Sequence, residues 1–185
     1  MYAIATLLDS SSDSQIRDLW QLMETDCGLA GIKTAPLPHF SWQGAKNYPV
    51  VEVEGILTDA AWQQSPFIVR TAGLGLFTGP VPVLYLALVK TVILMKVHDL
   101  LWEMIGPLAT GLNSHYSPDL WMPHITVAYQ DLTSENLACA VKNLIYRPVE
   151  LEIHVDGLAL LYQINEDNGI RSFFPFKGKE APKSV

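Results

Sequence analysis

Two short stretches of this chain carry its most reactive residue types. PLPHFSW, Pro36 to Trp42, places a histidine, an apolar residue and a hydroxyl just after a proline, and WMPHITV, Trp121 to Val127, nearly repeats it. Residues i and i+2 of an extended strand point to the same side. His39 and Ser41 are therefore predicted to share one face and His124 and Thr126 another, with Phe40, Trp42, Ile125 and Val127 turned the opposite way. Pro38 and Pro123 bias Leu37 and Met122 toward extended backbone. If the two strands lie together, two imidazoles and two hydroxyls converge on one groove. Such a set suits cleavage of a phosphodiester. One neutral imidazole takes a proton from water or a ribose hydroxyl, and the other, protonated, gives one to the departing oxygen. The hydroxyls bond the non-bridging oxygens as charge gathers on them. Histidine's ordinary pKa of ~6.5 allows both protonation states in one pH range. Each proton transfer is worth roughly 10²–10⁴ in rate, so the scheme calls for no metal and no cofactor.

Neighbouring residues sort less sharply. His115-Tyr116-Ser117 fits the same spacing but lies in a polar loop before Pro118, without flanking apolar alternation. His115 is therefore expected as a loop residue rather than a catalytic one; placed at the groove's rim it would be a candidate substrate contact, as is Trp121 on the approach to the second strand. Strict alternation turns Trp42 and Tyr129 away from the histidines and into the core. His98, in a helical stretch, and His154, with no hydroxyl two residues on, are read as structural. A metal site built from His39, His124 and His115 finds no His-x-His, HExxH or carboxylate cluster to complete it. Ser41 lacks the GxSxG setting of a hydrolase nucleophile.

The elements that must position these residues recur in one order. Tyr2–Leu8 reads as a strand, and Ser10–Ser14 supplies caps for a helix marked by Ile16, Leu19, Trp20 and Met23. A loop rich in Gly and Pro leads to the first motif strand, and Val50–Gln64 reads as a helix. Two short strands, Phe67–Arg70 and Gly75–Thr78, follow. The order then repeats: strand Val81–Lys90, helix Val92–Ile105, the polar loop GLNSHYSPD, the motif strand Pro123–Tyr129, helix Ser134–Ile145, a strand or hairpin over Leu151–Ile164, and a last strand Ile170–Phe176. Two copies of one α+β unit are expected, in halves about 1–80 and 81–178 of a single bilobal domain, with 179–185 a flexible tail.

The chain has 185 residues, 49% of them hydrophobic and 17% charged, which fits a folded domain with a sizeable core. Its net charge of −7 argues against an extended nucleic-acid-binding surface. The apolar run Val81–Val97 is broken by Lys90 and Lys96, short of the ~20 apolar residues a membrane helix needs. Cys27 and Cys139, without CxxC spacing, are expected as free thiols in a reducing compartment. A soluble cytoplasmic monomer without a membrane association is the expectation.

PHFSW and PHITV resemble the paired apolar-His-x-[Ser/Thr]-apolar motifs of the two-histidine phosphoesterase superfamily, which includes the 2′-5′ RNA ligase-like proteins and cyclic phosphodiesterases. The resemblance extends to about Lys177. It implies an α+β bilobal fold with two antiparallel sheets facing a central groove. It implies metal-independent action on 2′,3′-cyclic phosphates or 2′-5′ linkages, with a cyclic nucleotide or RNA 3′-end as substrate. It places the family's histidines on His39 and His124, and its hydroxyls on Ser41 and Thr126. Many members carry a basic residue where this chain has Tyr129, and an apolar continuation where it has Gln43-Gly44. A non-catalytic module binding a nucleotide or RNA end in the same groove is the alternative.

Overall fold

A computed structural model describes residues 1–35, 37–164 and 167–178. The strands and helices run β1 (Tyr2–Leu7), α1 (Ser10–Cys27), β2 (His39–Asn47), α2 (Val50–Gln63), β3 (Phe67–Phe77), β4 (Val83–Leu88), α3 (Val92–Ile105), β5 (Thr110–Leu112), β6 (His124–Tyr129), α4 (Ser134–Leu144), β7 (Glu152–Val155), β8 (Gly157–Ile164) and β9 (Asp167–Pro175). The α+β architecture expected from the sequence is present. Pro36, at the start of the first motif, and the tail 179–185 lie outside the described residues.

Helix boundaries follow capping chemistry. Asp9, rather than the serines after it, caps α1 by accepting from the backbone N–H groups of Ser11 and Ser12. Gly28 ends that helix in the left-handed conformation, at φ 68°. Thr133 and Asn136 form a reciprocal capping box on α4.

All the strand pairs are antiparallel and link into one path, β7-β3-β4-β6-β2-β1-β8-β9, with β5 paired to β2. The two motif strands β2 and β6 meet at its middle, where Phe40 lies opposite Ile125. On one side of that seam stand β1, β8 and β9, on the other β4, β3 and β7. Phe40, Trp42, Ile125 and Val127, all 0% exposed, project into one contiguous core with Ile16 and Met23 of α1, Leu57 of α2, and Leu94 and Leu101 of α3. The helices thus cover the sheet face opposite the motif histidines.

Several elements differ from the sequence expectation. Phe67–Phe77 is one strand, since a register shift between Thr71 and Leu74, with Gly73 at φ 102°, absorbs the irregularity that looked like a break. The loop after α3 contains the short strand β5 and a 3₁₀ turn at Ser114–Tyr116. Leu151–Ile164 divides into β7 and β8, which pair with β3 and β1 and not with each other. Only Asp156 separates them, so the sheet path must curl to bring its β7 edge beside β8.

The free-thiol expectation is corrected. Cys27 and Cys139 form a disulfide (S–S 2.01 Å, Cα–Cα 5.7 Å) joining the end of α1 to α4 across 112 residues. Their spacing along the chain could not show that the fold lays these helices side by side, and the support for a reducing compartment falls with it. Among the described residues no helix is long and apolar enough to cross a membrane.

Candidate active site

The register that sets Phe40 opposite Ile125 turns His39, Ser41, His124 and Thr126 to the face away from the core. On that face His39 pairs with Leu7 and Ser41 with Ala5 of β1, while His124 pairs with Ala87 and Thr126 with Tyr85 of β4. All four motif side chains are partly buried. The structure therefore brings the two predicted motifs together at one seam.

Each imidazole is held in the same way. Nδ1 of His39 lies 2.7 Å from the Leu37 carbonyl, and Nδ1 of His124 lies 2.7 Å from the Met122 carbonyl. A carbonyl only accepts, so both Nδ1 atoms carry hydrogen and Nε2 is the ring atom left to exchange a proton. Burial pushes the His39 ring below the ordinary imidazole range, against the opposing hydrogen bond to Leu37. Burial also lowers His124, and charge on His39 lowers it further, against its bond to Met122. The rings are thus close enough to feel one another. A pair coupled in this way disfavours two protons at once, and an anion between the rings would restore the protonated state of one.

Two buried indoles fix the strands beneath the hydroxyls, and they do so crosswise. Trp20 of α1 donates Nε1–H to the Thr126 carbonyl at 3.0 Å, and Trp121, just before the second motif, donates to the Ser41 carbonyl at 3.1 Å. Trp121 is 1% exposed, with its ring stacked on Trp42 (centroids 5.5 Å apart) and on His98 (3.8 Å, interplanar 6°). It supports Ser41 from below and has no free face for a base. His115 is exposed in the 3₁₀ turn, where its backbone N–H bonds the Asn113 side chain. Trp42 is in the core, as alternation requires, and its indole donates to Thr6 Oγ1 at 3.0 Å.

Tyr129 departs from the expectation. Each motif strand shifts register at the residue after its hydroxyl. On β2, Ser41 pairs with Ala5 and Gln43 with Ile4; on β6, Thr126 pairs with Tyr85 and Ala128 with Leu84. Trp42 and Val127 are the extra residues, and both they and their successors Gln43 and Ala128 are buried. The slip turns Gly44 and Tyr129, five residues after each histidine, back to the histidine face. Simple alternation had sent Tyr129 into the core, and a bulge leaves no mark in the apolar pattern that alternation reads.

The surroundings of the two rings differ. His124 lies edge-on to Phe77 (4.9 Å, 84°) and beside Tyr85 (5.1 Å), whose own rings are 4.2 Å apart. Gly75 makes this wall feasible, because a Cβ there would stand 2.3 Å from Tyr85 Cζ. On the His39 side the same face carries small aliphatic residues, Ala5 and Ala159 with Leu161, Ala3 and Leu7 against them. Sequence patterning gave Phe77, Tyr85 and Trp20 no role at the site, since an aromatic on a strand or helix reads as core, and Gly75 read only as the start of a short strand. A cavity of about 950 Å³ opens elsewhere, lined by Leu74, Leu84, Leu86, Val141 and Leu144. It lies behind the strands, under α4, and holds none of the motif residues.

Residues 9–167 match the sequence profile of the 2′-5′ RNA ligase superfamily. The fold resembles that of TT0787 of Thermus thermophilus, with a TM-score of 0.67, 17% identity, and 97% of this chain and 99% of that one covered. It also resembles a crystal structure described as a phosphoesterase, with a TM-score of 0.54, 15% identity, and 95% and 97% of the two chains covered. No curated protein matches the sequence.

Proposed function

The chain belongs to the 2′-5′ RNA ligase superfamily, and we propose that it is a phosphodiesterase that opens a 2′,3′-cyclic phosphate, or a related cyclic phosphodiester at a nucleotide or RNA end, without a metal. The observation that carries the proposal is the matched tethering of the two imidazoles. Each Nδ1–H is committed to the carbonyl two residues earlier, which leaves both Nε2 atoms to serve one groove.

In the proposed reaction the phosphate sits between His39 and His124. One neutral Nε2 takes a proton from water as the water oxygen bonds to phosphorus. The bond from phosphorus to one ribose oxygen breaks, and the protonated partner ring gives that oxygen its proton. Ser41 and Thr126 donate to the non-bridging oxygens, where negative charge grows in the transition state. The bound anion offsets the burial that otherwise keeps both rings neutral, so substrate itself promotes the singly protonated pair.

The test is hydrolysis of 2′,3′-cyclic nucleoside monophosphates in chelator, comparing the wild type with His39→Ala and His124→Ala. Turnover abolished by either change in a folded protein supports the proposal. Equal activity in wild type and variants rejects it. Tight binding of the nucleotide without turnover assigns the groove to recognition alone.

A further inference from the structure

We infer that two copies of this chain associate through the outer face of α3, packed antiparallel about a two-fold axis near Leu100, with Lys96 of each copy opposite Glu103 of the other. The surface lies on the helix layer behind the sheet, so the inference is independent of the chemistry proposed for the groove.

A helix that covers a sheet needs one apolar side, and α3 has two. Its inner side, Leu94, Val97, Leu101 and Ile105, is buried in the core. Gln43 of β2 donates its side-chain N–H to the Leu101 carbonyl at 2.9 Å, which pins that side inward, so the outer face cannot turn under. Outside, Val92, Ile93, Leu100 and Met104 are exposed, Leu100 to 45%. A helix turns by about 100° per residue, which puts Ile93, Leu100 and Met104 in one row within about 40° of arc. Lys96 and Glu103, both exposed, form a second row alongside it.

Neither Lys96 nor Glu103 forms an ion pair among the described residues. At a rise of 1.5 Å per residue they stand about 10 Å apart along the helix, too far to meet each other. A two-fold axis set across the helix midway between them inverts height and keeps each row on its own side. Lys96 then meets Glu103 of the second copy, and the reverse pair forms with it. Leu100 packs on its own counterpart, and Ile93 comes within a turn of the second copy's Met104. A parallel pair would instead bring Lys96 level with Lys96. The stripe is thus complementary to itself, as a closed two-fold contact requires. A membrane surface suits it less, because helices that lie on bilayers carry mainly Lys and Arg on the polar side. Here Lys96 stands beside Glu103 and Asp99, in a chain of net charge −7. Both histidine grooves stay open, since the helices lie on the opposite face of the sheet.

The experiment is sedimentation velocity on the full chain from roughly 1 µM to roughly 1 mM, the range in which a contact as small as one helix face associates. The wild type should pass from monomer to dimer. Lys96→Glu and Glu103→Lys should each weaken association by roughly tenfold or more, because each reversal sets two like pairs face to face. The double variant exchanges the charges and should restore the wild-type constant to within about threefold. Leu100→Glu should abolish the dimer. Circular-dichroism melts of dilute samples confirm folding, and if Leu100→Glu fails to fold the charge exchange decides alone. A wild type that stays monomeric throughout overturns the inference, as does a dimer that the reversals leave unchanged or the exchange fails to restore. A monomer that instead binds phosphatidylserine vesicles, and loses that binding in Leu100→Glu, also overturns it and assigns the face to a membrane.

Discussion

Phe40 and Ile125 face each other across the seam between β2 and β6, both fully buried. Each is the middle residue of a His-x-Ser/Thr triplet, so their contact beneath the sheet puts all four polar side chains above it. The packing of two apolar residues thereby sets the geometry of the groove.

His39→Ala and His124→Ala should each lower turnover of a cyclic phosphodiester by roughly 10²–10⁴-fold. Because the rings act as one relay, the double variant should be little worse than either single one. Steady-state rates, with circular dichroism to confirm folding, check this. Independent losses that multiply would contradict a shared proton path.

Trp20→Phe and Trp121→Phe keep most of the packing and remove one indole N–H each. The part-buried carbonyls of Thr126 and Ser41 would each lose an indole donor, at a cost of about 1–3 kcal/mol in each case. Chemical denaturation measures it. A kcat falling more than the stability loss can explain would show that these bonds aim the hydroxyls as well as hold the fold.

Gly75→Ala should displace the Tyr85 ring, since the new Cβ would overlap it. Overpacking of this sort costs roughly 1–3 kcal/mol. With the ring moved, water reaches His124 and its depressed pKa should rise toward the ordinary value, readable by NMR titration. An unchanged His124 titration would show that Tyr85 is not what desolvates it.

The pH dependence follows from three histidines, His39, His98 and His124, all lowered mainly by burial. A lowered folded-state pKa means that the unfolded chain binds the proton first. Their stabilising contribution is complete above the unfolded value of ~6.5 and is lost as pH falls through the folded-state values. The melting temperature should therefore drop on acidification below ~6.5. For catalysis, the optimum of kcat/KM should lie below the ordinary imidazole pKa, and that of kcat should shift upward once the anion is bound. Coincident optima would argue against an anion between the rings.

Reducing the Cys27–Cys139 bond, or replacing both residues by serine, should destabilise the protein by roughly 2–5 kcal/mol for a closed loop this long. At roughly 2–4 °C per kcal/mol, the shift is easily seen by calorimetry with and without reductant. The histidine seam lies in the sheet, so activity below the melting transition should be nearly unchanged.

The motif residues, their faces and the helix–strand order were readable locally. Alternation and capping are short-range rules, and a proline before each histidine marks where extended chain begins. From the residues themselves the sequence determined which side chains could do acid–base chemistry, and that each histidine would share a side with a hydroxyl. Tertiary structure decided what those rules cannot reach. Bulges after Ser41 and Thr126 returned Gly44 and Tyr129 to the groove. Long-range packing joined Cys27 to Cys139 and buried Trp121 beneath Ser41. Such placements depend on contacts between residues far apart in the chain, where one inserted residue in a strand reverses every side chain beyond it.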